Sequence, residues 1–484
     1  MSDIWATDGG VYFGQRCEAP SDADRPLAGT WKPTAQQHRY TGDRHLITFG
    51  PNGSGKTRRL LVPNLHYLKN WSVVVVDPKG SLAAMTGAYR AGLKNSDGSP
   101  HKVVVVDPFH VLEKNYPGLI EKHPELQSAG YNPVAALDPT SEDFEDDAKS
   151  LADALIQVAP NSNEPHFAQS AQALVKGLLL VARIAIEDGR LPDLRYWLGL
   201  EPDVLAAKIR GYKTEDGNVP GWLASWAQDV PAIAATLSRF AKISPDSREL
   251  LSILSTAQTQ TDWLDSKPVC ADLESGAYDF ATLKETPTTV YLIIPPNRLA
   301  THATWLRIML TAILTPLLRT VRPAKVPVLM MLDEFAQLGP LPVIQNNLGL
   351  MREYGVKLWP IFQDLPQAKT LYPDRWESFI GNAGVLHAFA PQDDTTRDYL
   401  SKMSGQRLYW LKTVSASKNQ TVAETNSTSS GLSESYQNMQ GPVYWPQNLA
   451  AMGQGQAVLY ANGQAPRSWL PDPTEMDDIK KLLP

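Results

Sequence analysis

One stretch of the chain has the residue types and the spacing that hold phosphate groups. Glycines let a backbone curl so that its N–H groups point at phosphate oxygens, and a helix that begins directly after the loop adds a positive dipole end. The pattern G-x-x-x-x-G-K-[ST] is matched without a mismatch by Gly50, Pro51, Asn52, Gly53, Ser54, Gly55, Lys56 and Thr57. In this pattern the lysine reaches the β- and γ-phosphates and the threonine hydroxyl binds Mg²⁺. The loop therefore predicts a site for a nucleoside triphosphate and magnesium.

A second stretch supplies the acids that hydrolysis needs. The apolar run Val328 to Leu332 predicts a strand, and Asp333 and Glu334 follow it directly. We expect Asp333 to hold Mg²⁺ beside Thr57. We expect Glu334 to act as the general base on the attacking water. This acid pair favours a hydrolase over a kinase, because a kinase has to exclude that water.

A glutamine follows the next predicted strand, Val356 to Phe362. We predict that Gln363 contacts the γ-phosphate or the attacking water, the alternative being an ordinary polar strand end. The chain has no N-K-x-D motif of the kind that reads guanine, so ATP is the expected nucleotide.

Two valine runs, 73–76 and 103–106, indicate the sheet that positions these residues. Each run ends in Asp-Pro, at Asp77 and Asp107. Runs without alternation are typical of strands buried on both faces, which occur in parallel sheets between helix layers. The carboxyl edge of such a sheet holds the ligand. The predicted class is α/β with a mostly parallel central sheet.

The pattern along the chain divides it into segments. We predict an irregular N-terminal arm over residues 1–40 and the first part of the nucleotide-binding domain over 41–140. An inserted all-helical domain follows over 141–274, and the second part of the nucleotide-binding domain over 275–484. A Ser-, Thr-, Asn- and Gln-rich stretch at about 413–440 is predicted to be a loose or disordered loop.

The bulk composition limits the possible function classes. The 484 residues carry a formal charge of −6, so a nucleic-acid surface has to be local. The two cysteines, Cys17 and Cys270, form neither a metal-site spacing nor a disulfide framework, which fits a reducing cytosol. No run of apolar residues is long enough to cross a membrane.

Over about residues 40 to 400, the chain resembles the type IV secretion coupling proteins, the TraG/TraD-type conjugation ATPases. The most specific stretch is Leu332 to Gly339, which reads Leu-Asp-Glu-Phe-Ala-Gln-Leu-Gly. The other stretches that carry the resemblance, in order, are 50–57, 62–65, 76–80, 131–133, 352–355, Gln363 and 393–396.

The resemblance implies a RecA-like P-loop NTPase with an all-helical domain inserted in it. It implies an ATPase that forms a homo-hexameric ring with DNA, single-stranded or bound by a relaxase, in a central channel. The implied function is to recruit DNA or nucleoprotein, with a relaxase or effector proteins as partners, and to translocate it to the components of a secretion channel. The helical domain would receive this cargo.

The chain also departs from the family. Members normally carry transmembrane helices before the P-loop, and only 49 residues precede Gly50. We therefore expect either a natural short form or a chain paired with a separate membrane subunit, cytoplasmic and peripheral to the inner membrane. Two alternatives stay open: a DNA-translocating ATPase of the FtsK/HerA kind outside secretion, and a docking receptor that binds ATP with little turnover.

Ring motors complete each nucleotide site with an arginine from the neighbouring subunit. The candidates for this arginine finger are Arg352, Arg375 and Arg397, although an arginine of this kind is more often a surface salt-bridge residue. Basic residues that would line a DNA path, or alternatively a solvated face, are Arg58, Arg59, Arg319, Arg322 and Lys325.

Overall fold

The computed structural model describes residues 5–6, 9–18, 32–95, 97–158, 164–186, 189–215, 217–274, 276, 278–321, 324–421 and 427–483. The strands are β1 (Trp5–Ala6), β2 (Val11–Glu18), β3 (Lys32–Tyr40), β4 (His45–Phe49), β5 (Ser72–Val76), β6 (Lys102–Val106), β7 (Gly211–Thr214), β8 (Gly217–Pro220), β9 (Thr288–Leu292), β10 (Val328–Leu332), β11 (Val356–Phe362), β12 (Ala383–Phe389), β13 (Gln406–Thr421), β14 (Ser427–Pro442), β15 (Gln456–Tyr460) and β16 (Arg467–Trp469).

The α-helices cover both faces of the sheet or form a separate helical region. They are α1 (Val62–Tyr67), α2 (Ser81–Ala91), α3 (Val111–Asn115), α4 (Leu119–Lys122), α5 (Phe144–Leu155), α6 (Pro165–Ala185), α7 (Leu191–Leu198), α8 (Pro202–Arg210), α9 (Trp222–Trp226), α10 (Pro231–Lys242), α11 (Arg248–Gln260), α12 (Lys267–Asp272), α13 (Pro296–Leu299), α14 (Ala303–Leu317), α15 (Pro342–Asn347), α16 (Leu365–Leu371), α17 (Trp376–Asn382), α18 (Asp394–Met403) and α19 (Pro446–Ala450). A π-helix, Lys56–Leu61, leads from the phosphate-binding loop into α1.

A twelve-stranded sheet runs in the order β1-β3-β2-β16-β15-β12-β4-β11-β10-β5-β9-β6. Every neighbouring pair from β12 to β6 is parallel. The strands from β15 to β1 extend this sheet by antiparallel pairing. All residues of β4, β5, β9, β10 and β11 are buried, because helices cover the sheet on both faces. The valine runs therefore form the predicted parallel core.

The N-terminal segment is not the irregular arm that its composition predicted. Among its described residues, β2 and β3 pair with each other and β2 pairs with β16. The Asn64 side chain holds β2 to α1 by accepting from the Tyr12 N–H at 2.8 Å and donating to the Tyr12 carbonyl at 2.9 Å. The prediction failed because β3 is largely polar, with only three of its nine residues buried, and because β2 pairs with residues that lie hundreds of positions away.

The predicted loose loop at 413–440 is also wrong for the part that the structure describes. Strands β13 and β14 form a long antiparallel hairpin whose register runs from Gln406 opposite Pro442 to Thr421 opposite Ser427. Residues 422–426 of the predicted loop lie outside the described residues. Serine and threonine are compatible with an exposed two-stranded ribbon, so a polar composition did not separate a ribbon from a disordered loop.

The segment from α5 to α12 is helical, as predicted, with one exception among its described residues. The short hairpin of β7 and β8 interrupts it after α8. The long helix α6 packs against α5, α10 and α11, with Leu174, Leu178 and Val181 fully buried. In the part of the chain that the structure describes, no helix is long and apolar enough to cross a membrane. The domain boundaries stay a prediction.

Candidate active site

The phosphate-binding loop follows the carboxyl end of β4, which lies between β12 and β11 in the sheet. The Gly50 N–H donates to the Phe362 carbonyl of the neighbouring strand at 2.9 Å, which holds the start of the loop. Gly53 and Gly55 adopt φ values of 79° and 86°, a region that favours glycine. The loop thus has the backbone conformation that its glycines predicted.

The Lys56 side chain is buried and points back across the loop. Its ammonium donates to the Gly50 carbonyl at 3.3 Å and lies 3.5 Å from a carboxylate oxygen of Glu334. The side chain is only 8% exposed. Its charge is therefore held at the loop, where a phosphate would replace weak carbonyl contacts with charge-assisted ones.

The predicted metal-binding residues lie together. The Thr57 hydroxyl donates to an Asp333 carboxylate oxygen at 3.3 Å, because β4 and β10 are separated only by β11 and end at the same edge. Burial raises the pKa of Asp333, an effect that the Lys56 charge opposes and the Glu334 charge reinforces. A hydroxyl and a carboxylate are hard oxygen donors that suit Mg²⁺, so these residues fit the predicted metal.

Glu334 and Gln363 form the third part of the site. The Gln363 side-chain amide donates to a Glu334 carboxylate oxygen at 3.1 Å. Glu334 adopts φ 52° and ψ 39°, a left-handed conformation that is uncommon outside glycine and tends to occur at functional sites. The backbone thus turns the Glu334 side chain towards Lys56 and Gln363 rather than along the strand direction.

A further carboxyl at this edge was not predicted as a site residue. Asp77 follows β5, which pairs with β10, and it accepts the Ala83 N–H at 2.9 Å. Burial raises the pKa of Asp77 to about 7, with the Asp333 charge acting in the same direction. The signal was present in the sequence, because Asp77 ends a buried valine strand just as Asp333 ends β10.

A cavity of about 240 Å³ adjoins the outer side of the phosphate-binding loop. Asn52 and Gly53 form one wall, and Phe389, Gln392 and Met452 line the opposite side. Flat apolar surface with amide groups suits an aromatic base. No local sequence signal indicated this cavity, because its walls come from segments more than three hundred residues apart.

The arginine-finger candidates lie in different places. Arg352 precedes β11 and is exposed near the amino edge of the sheet, opposite the loop. Arg375 is exposed before α17 and donates to the Gln345 carbonyl at 3.2 Å. Arg397 lies in α18, after β12, and pairs with Asp394. None of these three residues contacts the described phosphate-binding loop in its own chain.

The basic residues predicted for a DNA path have acidic or carbonyl partners instead. Arg58 pairs with Asp472 at 2.8 Å, and Arg59 donates to the Leu470 carbonyl at 2.9 Å. Arg319 pairs with two acids of the helical region, Asp143 and Asp147. Lys325 pairs with Glu285 at 2.6 Å, and Arg322 lies outside the described residues. For the four described residues, the structure favours roles in holding segments together.

Comparison with known proteins identifies relatives over nearly the whole chain. The family described as type IV secretory system conjugative DNA transfer matches residues 18–468. The conjugal transfer protein TraG of Escherichia coli is 26% identical over 432 residues, covering 86% of this chain and 62% of the relative. TraG of Rhizobium radiobacter is 23% identical over 96% of this chain and 69% of its own length. VirD4 of Agrobacterium fabrum is 26% identical over 77% of this chain and 51% of its own length.

Solved structures agree on the fold. The plasmid coupling protein TrwB in complex with ADP and Mg²⁺ superposes with a TM-score of 0.63 at 14% identity, covering 97% of this chain and 96% of that one. The unbound monoclinic form of TrwBdeltaN70 gives 0.62 at 15% identity over 96% and 94%. The predicted RecA-like P-loop fold is confirmed. The chain spans about 62% of the length of the E. coli relatives.

Proposed function

Because this chain belongs to the type IV secretory system conjugative DNA transfer family, we propose that it is an ATP-driven coupling protein. It recruits DNA or nucleoprotein and translocates it to a secretion or conjugation channel. The observation that carries the enzymatic part is the convergence of Lys56, Thr57, Asp333, Glu334 and Gln363 at one edge of the sheet. Bound Mg²⁺ would supply positive charge at the transferred phosphate.

In this proposal ATP binds along the phosphate-binding loop. Lys56 and the loop N–H groups would hold the phosphates, and Thr57 and Asp333, which are in contact, would hold Mg²⁺. The cavity beside Asn52 and Phe389 accepts the base. The TrwB structures in complex with ADP and Mg²⁺ and with a non-hydrolysable ATP analogue support this choice of ligands.

The chemistry assigned to the chain is positioning and proton transfer. Glu334 is placed to take a proton from the attacking water, and Gln363 holds the Glu334 carboxylate through its amide. General-base catalysis of this kind contributes roughly 10² to 10⁴ in rate. Lys56 then stabilises negative charge on the phosphates.

We propose that the working form is a homo-hexameric ring. A ring joins two different surfaces of each subunit head to tail, so the finger comes from a surface other than the loop edge. Arg352 meets this condition, since it is exposed near the opposite edge of the sheet. Arg397 meets it less well because it lies on the loop side and pairs with Asp394.

The partners follow from the family and stay part of the proposal. They are DNA that is single-stranded or bound by a relaxase, relaxase or effector proteins, and components of the secretion channel. Because the motor consumes ATP, we place it on the cytoplasmic side, at the periphery of the inner membrane.

The deciding experiment measures phosphate release with and without single-stranded DNA, alongside electron microscopy of the protein with a non-hydrolysable ATP analogue. We expect rings and DNA-stimulated hydrolysis, and we expect Lys56→Ala to abolish the hydrolysis. The matched control is Lys69→Ala, which removes an exposed lysine before β5, at the far edge of the sheet. Turnover that is indifferent to DNA and to assembly would contradict the coupling function.

A further inference from the structure

A second cavity opens at the same sheet edge as the nucleotide site, beyond the ends of β6 and β9. Its volume is about 520 Å³. The loop after β6 contributes Phe109, and α3 contributes Lys114 and Asn115. The segment after β9 contributes Arg298 and His302. The cavity is therefore built from the loops that occupy the ligand-binding edge of an open α/β sheet.

The lining of this cavity is positive although the chain is acidic overall. Lys114 and Arg298 are exposed at its rim, on separate helices α3 and α13. Lys114 donates to the Phe109 carbonyl at 2.7 Å, which holds its ammonium beside the opening. No aspartate or glutamate occurs among the described residues that line the cavity, against a formal net charge of −6 for the chain. The residues that line the cavity thus carry a net positive charge, which favours anions.

The fifteen-residue helix α14 begins at this cavity, with His302 as its N-cap residue. A helix N-terminus carries partial positive charge and suits an oxyanion. His302 is only 6% exposed, and its Nε2 has no hydrogen-bond partner among the described residues. Its Nδ1 lies 2.8 Å from the Thr301 hydroxyl. A buried ring nitrogen without a partner beside a cavity indicates a missing hydrogen-bonding group.

The cavity is also connected to the ATP site. Going from β4 to β9 along the sheet takes four strand spacings, roughly 19 Å. Asn115, which lines the cavity, has its side-chain amide 3.5 Å from the Lys79 carbonyl. Lys79 lies two residues after Asp77, and Asp77 follows β5, which pairs with the strand that precedes Asp333. A change at the hydrolytic centre therefore has a short structural route to the cavity.

From these observations we infer that the cavity between Lys114, Arg298 and His302 binds the phosphodiester backbone of single-stranded DNA. This inference rests on the proposed coupling function and identifies where the translocated strand contacts the motor. The recognised chemistry is a phosphate oxyanion, which a free phosphate would share. Single-stranded DNA is favoured because the two cations lie exposed on different helices, along an open rim, as a passing backbone requires. The contact is independent of base sequence.

The test is a double variant, Lys114→Ala with Arg298→Ala, in the full chain. Its matched control is Lys69→Ala with Lys102→Ala, which removes two exposed cations from the opposite, amino edge of the sheet. Binding of a labelled single-stranded oligonucleotide is measured by fluorescence anisotropy over a range of salt concentrations. We expect at least about a tenfold loss of affinity and a salt slope shallower by about 1.4, roughly 0.7 for each lost phosphate contact. DNA stimulation of ATP hydrolysis should fall with it, while basal hydrolysis should not change.

The outcomes separate this inference from the proposed function. If the unaltered chain binds DNA and the double variant binds it as tightly as the control does, the inference fails and the coupling function stands. If the unaltered chain neither binds DNA nor responds to it, both fail. A further measurement uses inorganic phosphate at millimolar concentration as a competitor. Competition by phosphate with a labelled oligonucleotide at fixed ionic strength, without loss of affinity in the double variant, would assign phosphate recognition to another site.

Discussion

The ammonium of Lys56 lies 3.5 Å from a carboxylate oxygen of Glu334, and the other oxygen of that carboxylate accepts the Gln363 amide at 3.1 Å. Two residues that the proposal assigns to phosphate binding and to water activation are thus in direct contact. Phosphate oxygens compete with Glu334 for the lysine, because both are anions that pair with the same charge. Nucleotide binding would therefore release the Glu334 carboxylate from Lys56 while Gln363 keeps hold of it.

Glu334→Gln is expected to separate binding from hydrolysis. The amide is nearly the same size but is a poor base, so turnover should fall roughly 10²- to 10⁴-fold. ATP affinity should hold or rise slightly, because Lys56 loses the carboxylate that competes with phosphate. Phosphate release and fluorescent-nucleotide titration measure the two effects. Turnover at an unchanged rate would remove Glu334 from the role of base and favour another acid at this edge.

Gln363→Ala is expected to lower kcat about tenfold and to leave the KM for ATP unchanged. The reason is that Gln363 contacts Glu334 and has no described contact with the phosphate-binding loop through its side chain. Steady-state kinetics distinguishes this positioning effect from loss of nucleotide binding. The conservative variant Gln363→Asn, whose amide is one methylene shorter, should recover little, and a raised KM with normal kcat would contradict the assignment.

Asp77→Asn is expected to raise the free energy of unfolding relative to the unaltered chain, by an amount that grows as the pH rises. The folded pKa of Asp77 is raised from 3.8 to about 7 by burial, so the folded state holds a proton that the unfolded state loses. The contribution of Asp77 to the free energy of unfolding therefore falls between pH 4 and 7, by about 1.4 kcal/mol per pH unit. Asparagine carries no titrating proton and can still accept the Ala83 N–H.

Urea unfolding at pH 5, 6, 7 and 8 measures this effect. The difference in unfolding free energy between Asp77→Asn and the unaltered chain should grow in favour of the variant up to about pH 7 and then level off. The control is Asp97→Asn. Hydrogen bonds from Ser99 lower the pKa of this exposed carboxyl, so its contribution should not change over the same pH range. A pH-independent difference for Asp77→Asn would show that Asp77 is ionised when buried.

Subunit mixing tests the proposal that Arg352 acts in the neighbouring site. Arg352→Ala should bind ATP normally and hydrolyse it at least about 10³-fold more slowly, the range known for arginine fingers. Lys56→Ala subunits lack a working loop but keep Arg352. Mixing the two inactive variants should restore part of the activity, because some interfaces then combine an intact loop with an intact arginine. If Arg352→Ala still hydrolyses ATP at the normal rate, Arg352 is not the finger. Mixing Lys56→Ala subunits with Arg375→Ala or with Arg397→Ala subunits then identifies which of these two arginines is.

The outer part of the β13–β14 hairpin is expected to be dispensable for folding. The described outer positions, such as Val414 and Tyr436, are exposed, whereas Tyr409 at the base is buried and donates to the Pro442 carbonyl at 2.7 Å. Replacing residues 412–436 by Asn-Gly, a two-residue hairpin turn, should change the unfolding free energy by less than about 1 kcal/mol. Tyr409→Ala should cost about 3 kcal/mol. Thermal and urea unfolding compare the two, and a large loss in the shortened variant would indicate packing against the body of the protein.

The sequence by itself determined the phosphate-binding loop, the acid pair and the parallel sheet that joins them. These are local patterns: glycines at fixed spacing, and buried valine or methionine strands that end in acids. Since parallel strands end at one edge, Asp333 was expected near Thr57. In the structure, the Thr57 hydroxyl lies 3.3 Å from an Asp333 carboxylate oxygen. Asp77 follows from the same reasoning, applied to one more strand.

Only the tertiary structure decided which distant segments meet. The contact between Gln363 and Glu334, the cavity between Asn52 and Phe389, and the pairing of β2 with β16 all join parts of the chain that no local pattern relates. The same holds for two of the basic residues. Arg58 pairs with Asp472 and Arg319 pairs with Asp143, so each joins segments that are distant in the sequence. The physical reason is that backbone propensity and burial periodicity are properties of neighbouring residues. Strand order and side-chain partners depend on the packing of the whole chain.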